Sequence, residues 1–125
     1  LKKFNEAFDE FHRRGWWFHI FPEACRWDFY KPLRPFQKGA FTMSYKYNKP
    51  LLPCVITFRE RKGIFRLFGS KNLPLLTVTI GEPILPDTTK PRKIEVERLR
   101  EVAHNQMVKM AGITHNPWPV TWGNQ

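Results

Sequence analysis

Two cysteines, Cys25 and Cys54, are all that the sequence holds. They form no C-x-x-C pair and lack metal-ligand spacing, so no cysteine metal site is expected and a reducing compartment is the default. The longest apolar runs lie around Trp16–Phe21, Leu51–Phe58 and Leu73–Ile80. Each is far short of the roughly 20 residues that a membrane-spanning helix needs. Internal repeats and low-complexity segments are missing as well. Acidic residues are scarce, 11 against 21 lysines and arginines, and the net charge is +10. Residues 1–50 and 51–125 each carry +5, so the excess is not a basic tail on a neutral body. Such a chain suits an anionic partner, whether nucleic acid, anionic lipid, or a phosphorylated or coenzyme A substrate. No RNA-recognition or zinc-finger motif is present and the aromatics sit in core-like runs, so nucleic acid is not expected.

What is present fits one domain, or part of one, in 125 residues. A 42% hydrophobic content with a mean hydropathy of −0.49 suits a globular chain. Aromatics make up 15%, enough for a core with ring area to spare for an interface. Leu1, Phe4, Phe8 and Phe11 recur at helical spacing with charges between them, and Gly15 stands ready to end that helix. Trp16–Phe21 reads as a short buried strand, with His19 packed in it, and Pro22 ends it. Residues 22–37 hold three prolines and no periodicity, an ordered loop. Gly39–Tyr47 reads as a short helix closed by Asn48 and Pro50, and Leu52–Phe58 and Leu75–Ile80 as strands. After the turn-rich Pro86–Thr89 comes a long helix over Arg92–Ala111, with an apolar face of Val96, Leu99, Ala103, Met107 and Met110 and a stop at Gly112. Residues 112–125 read as an irregular tail. The expected class is α/β, with three strands and three helices.

The densest chemistry lies in Phe21-Pro22-Glu23-Ala24-Cys25-Arg26 and Pro35-Phe36-Gln37-Lys38-Gly39-Ala40. A strand ending in Phe-Pro-Glu puts Glu23 and Arg26 beyond its carboxyl end, where ligands of open α/β sheets bind. Arg26 offers a planar fork for two phosphate oxygens, and Lys38 a point charge. The backbone N–H groups near Gly39 suit an anion if a helix begins there. Glu23 is suited to accepting hydrogen bonds from substrate hydroxyls or to holding Arg26. The alternative is an ordinary loop ion pair beside a solvated lysine.

These two blocks resemble the F-P-E-G-T-R and F-K-K-G-A blocks of the glycerolipid acyltransferases, the family of 1-acyl-glycerol-3-phosphate acyltransferase. Two further stretches resemble the same family in the same order: Pro50-Leu51-Leu52-Pro53-Cys54-Val55-Ile56 its V-P-I-V-P-V strand, and Ile80-Gly81-Glu82-Pro83-Ile84 its I-G-x-P-I turn. The resemblance runs over roughly residues 1–110. It implies part of a sheet flanked by helices, and acyl transfer from acyl-CoA or acyl-carrier protein to a hydroxyl of a glycerol-phosphate acceptor in phospholipid synthesis. It also implies an acceptor site of Glu23, Arg26, Lys38 and Gly39, with no cofactor and no metal. The family's catalytic H-x-x-x-x-D is not matched: none of His12, His19, His104 and His115 has an aspartate five residues later. The dyad is therefore expected upstream of Leu1, with residues 1–125 a single partial domain, a fragment inactive alone. Ala24-Cys25 also replaces the family's Gly-Thr. An alanine there is expected to keep that loop in ordinary, negative-φ backbone space. Cys25 is read as a small packed residue and not as a nucleophile.

Phe58–Phe68 mixes Arg59, Arg61, Lys62 and Arg66 with large apolar residues. It suits either an anionic membrane surface or a basic loop folded on the core, and the former is the expectation. Trp118 and Trp122 suit interfacial anchoring or a docked tail equally. A membrane-associated protein on the cytoplasmic side is thus expected. The other reading of the chain is a non-enzymatic basic module that binds anionic lipid or nucleic acid.

Overall fold

The computed structural model of the chain describes residues 2–24, 32–59, 61–67 and 75–116. Helix α1 (Lys2–Arg13) is followed by α2 (Gly39–Tyr47), strand β1 (Cys54–Arg59), a 3-10 turn at Gly63–Arg66, strand β2 (Leu75–Ile80) and helix α3 (Arg92–Met110). The class is mixed α and β, with one small antiparallel sheet among the described residues.

All three helices end in the same way. Gly15 takes φ +68, and the amides of Gly15 and Trp16 reach back to His12 O and Phe11 O at 3.1 and 3.0 Å. Asn48 does this for α2 (φ 49) and Gly112 for α3 (φ +67). These paired returns satisfy the last carbonyls of each helix and need a residue that tolerates the left-handed region. The stops expected at Gly15, Asn48 and Gly112 are where the helices end.

β1 and β2 pair in register from Cys54↔Ile80 to Arg59↔Leu75. The ladder continues past the strand ends: Gly81 N donates to Pro53 O at 2.8 Å, and Leu51 and Ile84 exchange both bonds at 2.9 and 2.8 Å. The Pro50–Ile56 and Ile80–Ile84 blocks are therefore hydrogen-bonded neighbours. One face of the hairpin carries Cys54, Ile56, Phe58, Leu76, Val78 and Ile80, since opposed residues share a face. The other face buries Val55.

The core forms where α3 packs on α2 and touches β1. Val96, Leu99 and Ala103 of α3 meet Phe36, Phe41 and Ile84, with Tyr45, Leu51 and Met107 at the margin. The apolar stripe expected on α3 is the one that packs. A fully buried Glu95 ties α3 to the preceding turn, accepting Asp87 N at 2.8 Å and Arg98 Nε at 2.8 Å. Arg98 Nη2 also reaches Leu85 O at 3.0 Å. On the opposite side, Lys46 and Tyr47 of α2 grip Asp9 of α1 at 2.8 and 2.6 Å.

Two sequence expectations fail. Trp16–Phe21 is not a strand, so the described residues hold two strands and not three. The run is not buried either: Trp17 is 77% and Phe21 69% exposed, and His19 is exposed instead of packed in a sheet. The physical reason is that its rings find partners on α1. Phe18 meets Phe8 edge-on at 4.7 Å between centroids, and Trp16 lies 5.6 Å from Phe11. A helix can offer rings to an aromatic run, but it cannot supply the backbone ladder that a strand requires.

Candidate functional site

Phe21–Ala24 and Leu33–Gly39 meet in a corner held by hydrogen bonds. Phe21–Ala24 is a tight turn, Ala24 N to Phe21 O at 3.2 Å, with Pro22 in the position that favours its fixed φ. Gln37 N then donates to Pro22 O at 2.7 Å, and Arg34 N to Glu23 Oε2 at 2.8 Å. The two blocks singled out in the sequence are thus joined directly. Arg26 and Cys25 lie outside the described residues.

Ala24 sits at φ 52. The expectation that alanine keeps this loop at negative φ is therefore wrong. Its own amide closes the turn on Phe21 O, and the two residues before it are tied to Gln37 and Arg34, while an L-residue in the left-handed region costs about 1–2 kcal/mol.

The corner opens onto two clefts, and its candidate side chains divide between them. Glu23 is half-buried and lines a large, mainly apolar cleft of about 1840 Å³. Trp16, Phe18, Leu52, Ile56, Phe58 and Met107 are among its walls. Lys38 is exposed and lines a smaller cleft of about 360 Å³, with Thr42, Arg92, Lys93, Val96 and Glu97. Its ammonium lies 2.6 Å from Glu97 Oε1, and Glu97 Oε2 lies 2.6 Å from Arg100 Nη2. Burial alone would raise the Glu97 carboxyl, but the Lys38 hydrogen bond and the Arg100 charge outweigh it and hold the group below the usual carboxylate range. Gly39 opens α2, where the first-turn amides have no helical acceptor.

Sequence reasoning missed the groups behind the corner. His104, buried in α3, meets Leu33 O through Nε2 at 3.4 Å, and Asn116 Nδ2 donates to the same carbonyl at 2.8 Å. Arg100 Nη1 approaches Phe36 O at 3.5 Å. The His104 ring stands edge-on to Phe36 at 4.9 Å. Desolvation lowers the His104 pKa, and the bonds to the Leu33 and Arg34 backbone only partly oppose it. With a carbonyl beside Nε2, the neutral tautomer carries its proton there, leaving Nδ1 without a hydrogen-bond partner among the described residues. The i,i+4 spacing of Arg100 and His104 places both on one face of α3, but it carries no sign of the backbone carbonyls they meet.

Residues 2–57 match the family model described as Acyltransferase, a span from α1 through the corner and α2 into β1. Neither a curated protein nor a solved structure matches the chain.

Proposed function

From the premise that this chain belongs to the acyltransferase family, by the match over residues 2–57, we propose that it forms the acceptor side of a glycerolipid acyltransferase. Acyl transfer is the family's general activity. The acceptor proposed here is a glycerol phosphate or lysophosphatidate-like lipid, and the donor is acyl-CoA or acyl-carrier protein. The observation that carries this reading is the corner itself. The Pro22–Gln37 and Glu23–Arg34 bonds bring the acid-bearing turn against the start of α2, at the margin of a cleft walled by apolar side chains. A phosphate suits Lys38 and the amides around Gly39, with Arg26 as the proposed bidentate partner. An acyl chain suits the apolar walls.

In this proposal the general base is the histidine of an H-x-x-x-x-D block upstream of Leu1. It takes the acceptor hydroxyl proton, the oxygen attacks the thioester carbonyl, and the thiol leaves with a proton. Residues 1–125 bind and orient the acceptor. The test is turnover of lysophosphatidate and acyl-CoA to phosphatidate. The chain alone should give none above blank, and a protein that adds the upstream block should give product that His→Ala in that block abolishes. Turnover by residues 1–125 alone refutes the upstream base, and an extended protein inert on phosphorylated glycerol acceptors refutes the reading.

We also propose a membrane-associated setting for that chemistry, with the basic segment after β1 meeting anionic lipid. Its support is the exposure of Ile64 (64%) and Leu67 (80%) next to Lys62. Among the described residues no helix is long and apolar enough to cross a membrane.

A further inference from the structure

We propose that Glu23 is a positioning residue, and that with His104, Asn116 and Arg100 it forms a clamp fixing the Leu33–Gln37 backbone. Its bearing on acceptor binding rests on the acyl-transfer reading above, but its geometry does not.

The backbone of residues 33–37 is held group by group. Leu33 O faces two donors, His104 Nε2 and Asn116 Nδ2 at 3.4 and 2.8 Å. Arg34 N donates to Glu23 Oε2 at 2.8 Å, Phe36 O faces Arg100 Nη1 at 3.5 Å, and Gln37 N donates to Pro22 O at 2.7 Å. Three of these partners come from α3 or the residues beyond it, far along the chain. The loop is therefore located by the long C-terminal helix as much as by its own turn. Phe36 adds the apolar part of the grip, 1% exposed and packed on His104.

A loop placed this way sets the position of its next residues, Lys38 and the first amides of α2. The amide bond to Glu23 is charge-assisted, the strong kind. It commits Oε2 to protein, so the acid of the Phe-Pro-Glu turn serves the backbone of the neighbouring block. A neutral His104 fits the same role. Its single proton points at Leu33 O, and burial first, with the charge of Arg100 a lesser cause, disfavours a second.

The experiment combines residue-resolved amide hydrogen exchange with glycerol 3-phosphate titration on residues 1–125, comparing the parent with Glu23→Ala, Glu23→Gln and His104→Gln. Leu99 of the core serves as the marker of global opening. In Glu23→Ala the Arg34 and Gln37 amides should exchange about tenfold faster or more relative to Leu99. Glu23→Gln, whose Oε1 accepts the same N–H, should return most of that protection. His104→Gln keeps a donor toward Leu33 O and should hold Gln37 near the parent value. Glycerol 3-phosphate affinity should follow Arg34 protection, falling in Glu23→Ala and recovering in Glu23→Gln. Parent-like exchange in Glu23→Ala overturns the clamp. So does a Glu23→Gln protein that keeps its protection but loses affinity, because Glu23 would then be a ligand for the acceptor. A parent that binds no glycerol 3-phosphate sinks the acceptor reading, and the exchange comparison still decides the clamp. If Glu23→Ala does not fold, Glu23→Asp takes its place, since the shorter side chain draws the carboxylate back from Arg34 N: faster Arg34 exchange relative to Leu99 supports the clamp, and parent-like exchange overturns it.

Discussion

Ala24→Gly should make this protein more stable, although glycine usually does the opposite. Ala24 is exposed and sits at φ 52, so replacing it removes no packing and relieves a left-handed L-residue. That relief is about 1–2 kcal/mol. Glycine also gives the unfolded chain more freedom, which takes back about 0.4–1 kcal/mol. The net expectation is a gain of about 0–1.6 kcal/mol, whose midpoint of about 0.8 raises Tm by about 2–5 °C for a chain of this length. Thermal unfolding followed by circular dichroism measures it. Two companions bracket the result. Ala24→Val, β-branched at the same φ, should lower Tm. Ala7→Gly, at an exposed position inside α1, should cost about 1 kcal/mol as it does in any helix. If Ala24→Gly lowers Tm as much as Ala7→Gly does, the turn does not hold a left-handed residue and the strain argument fails.

Three further outcomes are expected. Glu95→Gln should cost about 1.5–3 kcal/mol at neutral pH in urea unfolding, because Arg98 and the Asp87 amide lose a charged acceptor. The Arg98 bonds hold the Glu95 pKa below its usual range. Its contribution is therefore complete above the unfolded carboxyl pKa and fades as pH falls through the lower folded one. The parent and Glu95→Gln should converge in acid, and a gap independent of pH would refute the ionic account. Gly81→Ala should cost about 1–2 kcal/mol, since a Cβ there would lie 2.6 Å from Met110 Sδ and 2.7 Å from Gln106 Nε2. Unchanged urea unfolding would mean that both side chains move aside freely. Arg61→Ser with Lys62→Ser should weaken co-sedimentation with phosphatidylserine liposomes, and added salt should weaken the parent's binding too. Equal binding by parent and variant would leave the segment an ordinary loop.

Local rules alone determined much of this protein. A 3.6-residue apolar period marked α1 and α3, Gly15, Asn48 and Gly112 marked their ends and that of α2, and β-rich runs marked both strands. Each depends on neighbours a few residues apart, which sequence displays. The blocks around Glu23 and Lys38 were also legible, as was their adjacency in outline. Tertiary structure decided what those residues touch. Trp16–Phe21 had the composition of a strand, but a strand exists only with a partner edge, and its rings settled on α1 instead. Ala24 prefers negative φ in isolation but takes the other sign here, at the end of a turn whose preceding residues are tied to Arg34 and Gln37. Lys38 turned to Glu97 because α3, a distant part of the chain, packs beside it, and Glu23 turned to the Arg34 amide across the corner. His104, Arg100 and Asn116 had no visible role in sequence, because a buried donor's partner was a backbone carbonyl more than sixty positions away. Any residue type can supply such a carbonyl, so the pairing leaves no mark in the sequence of either partner.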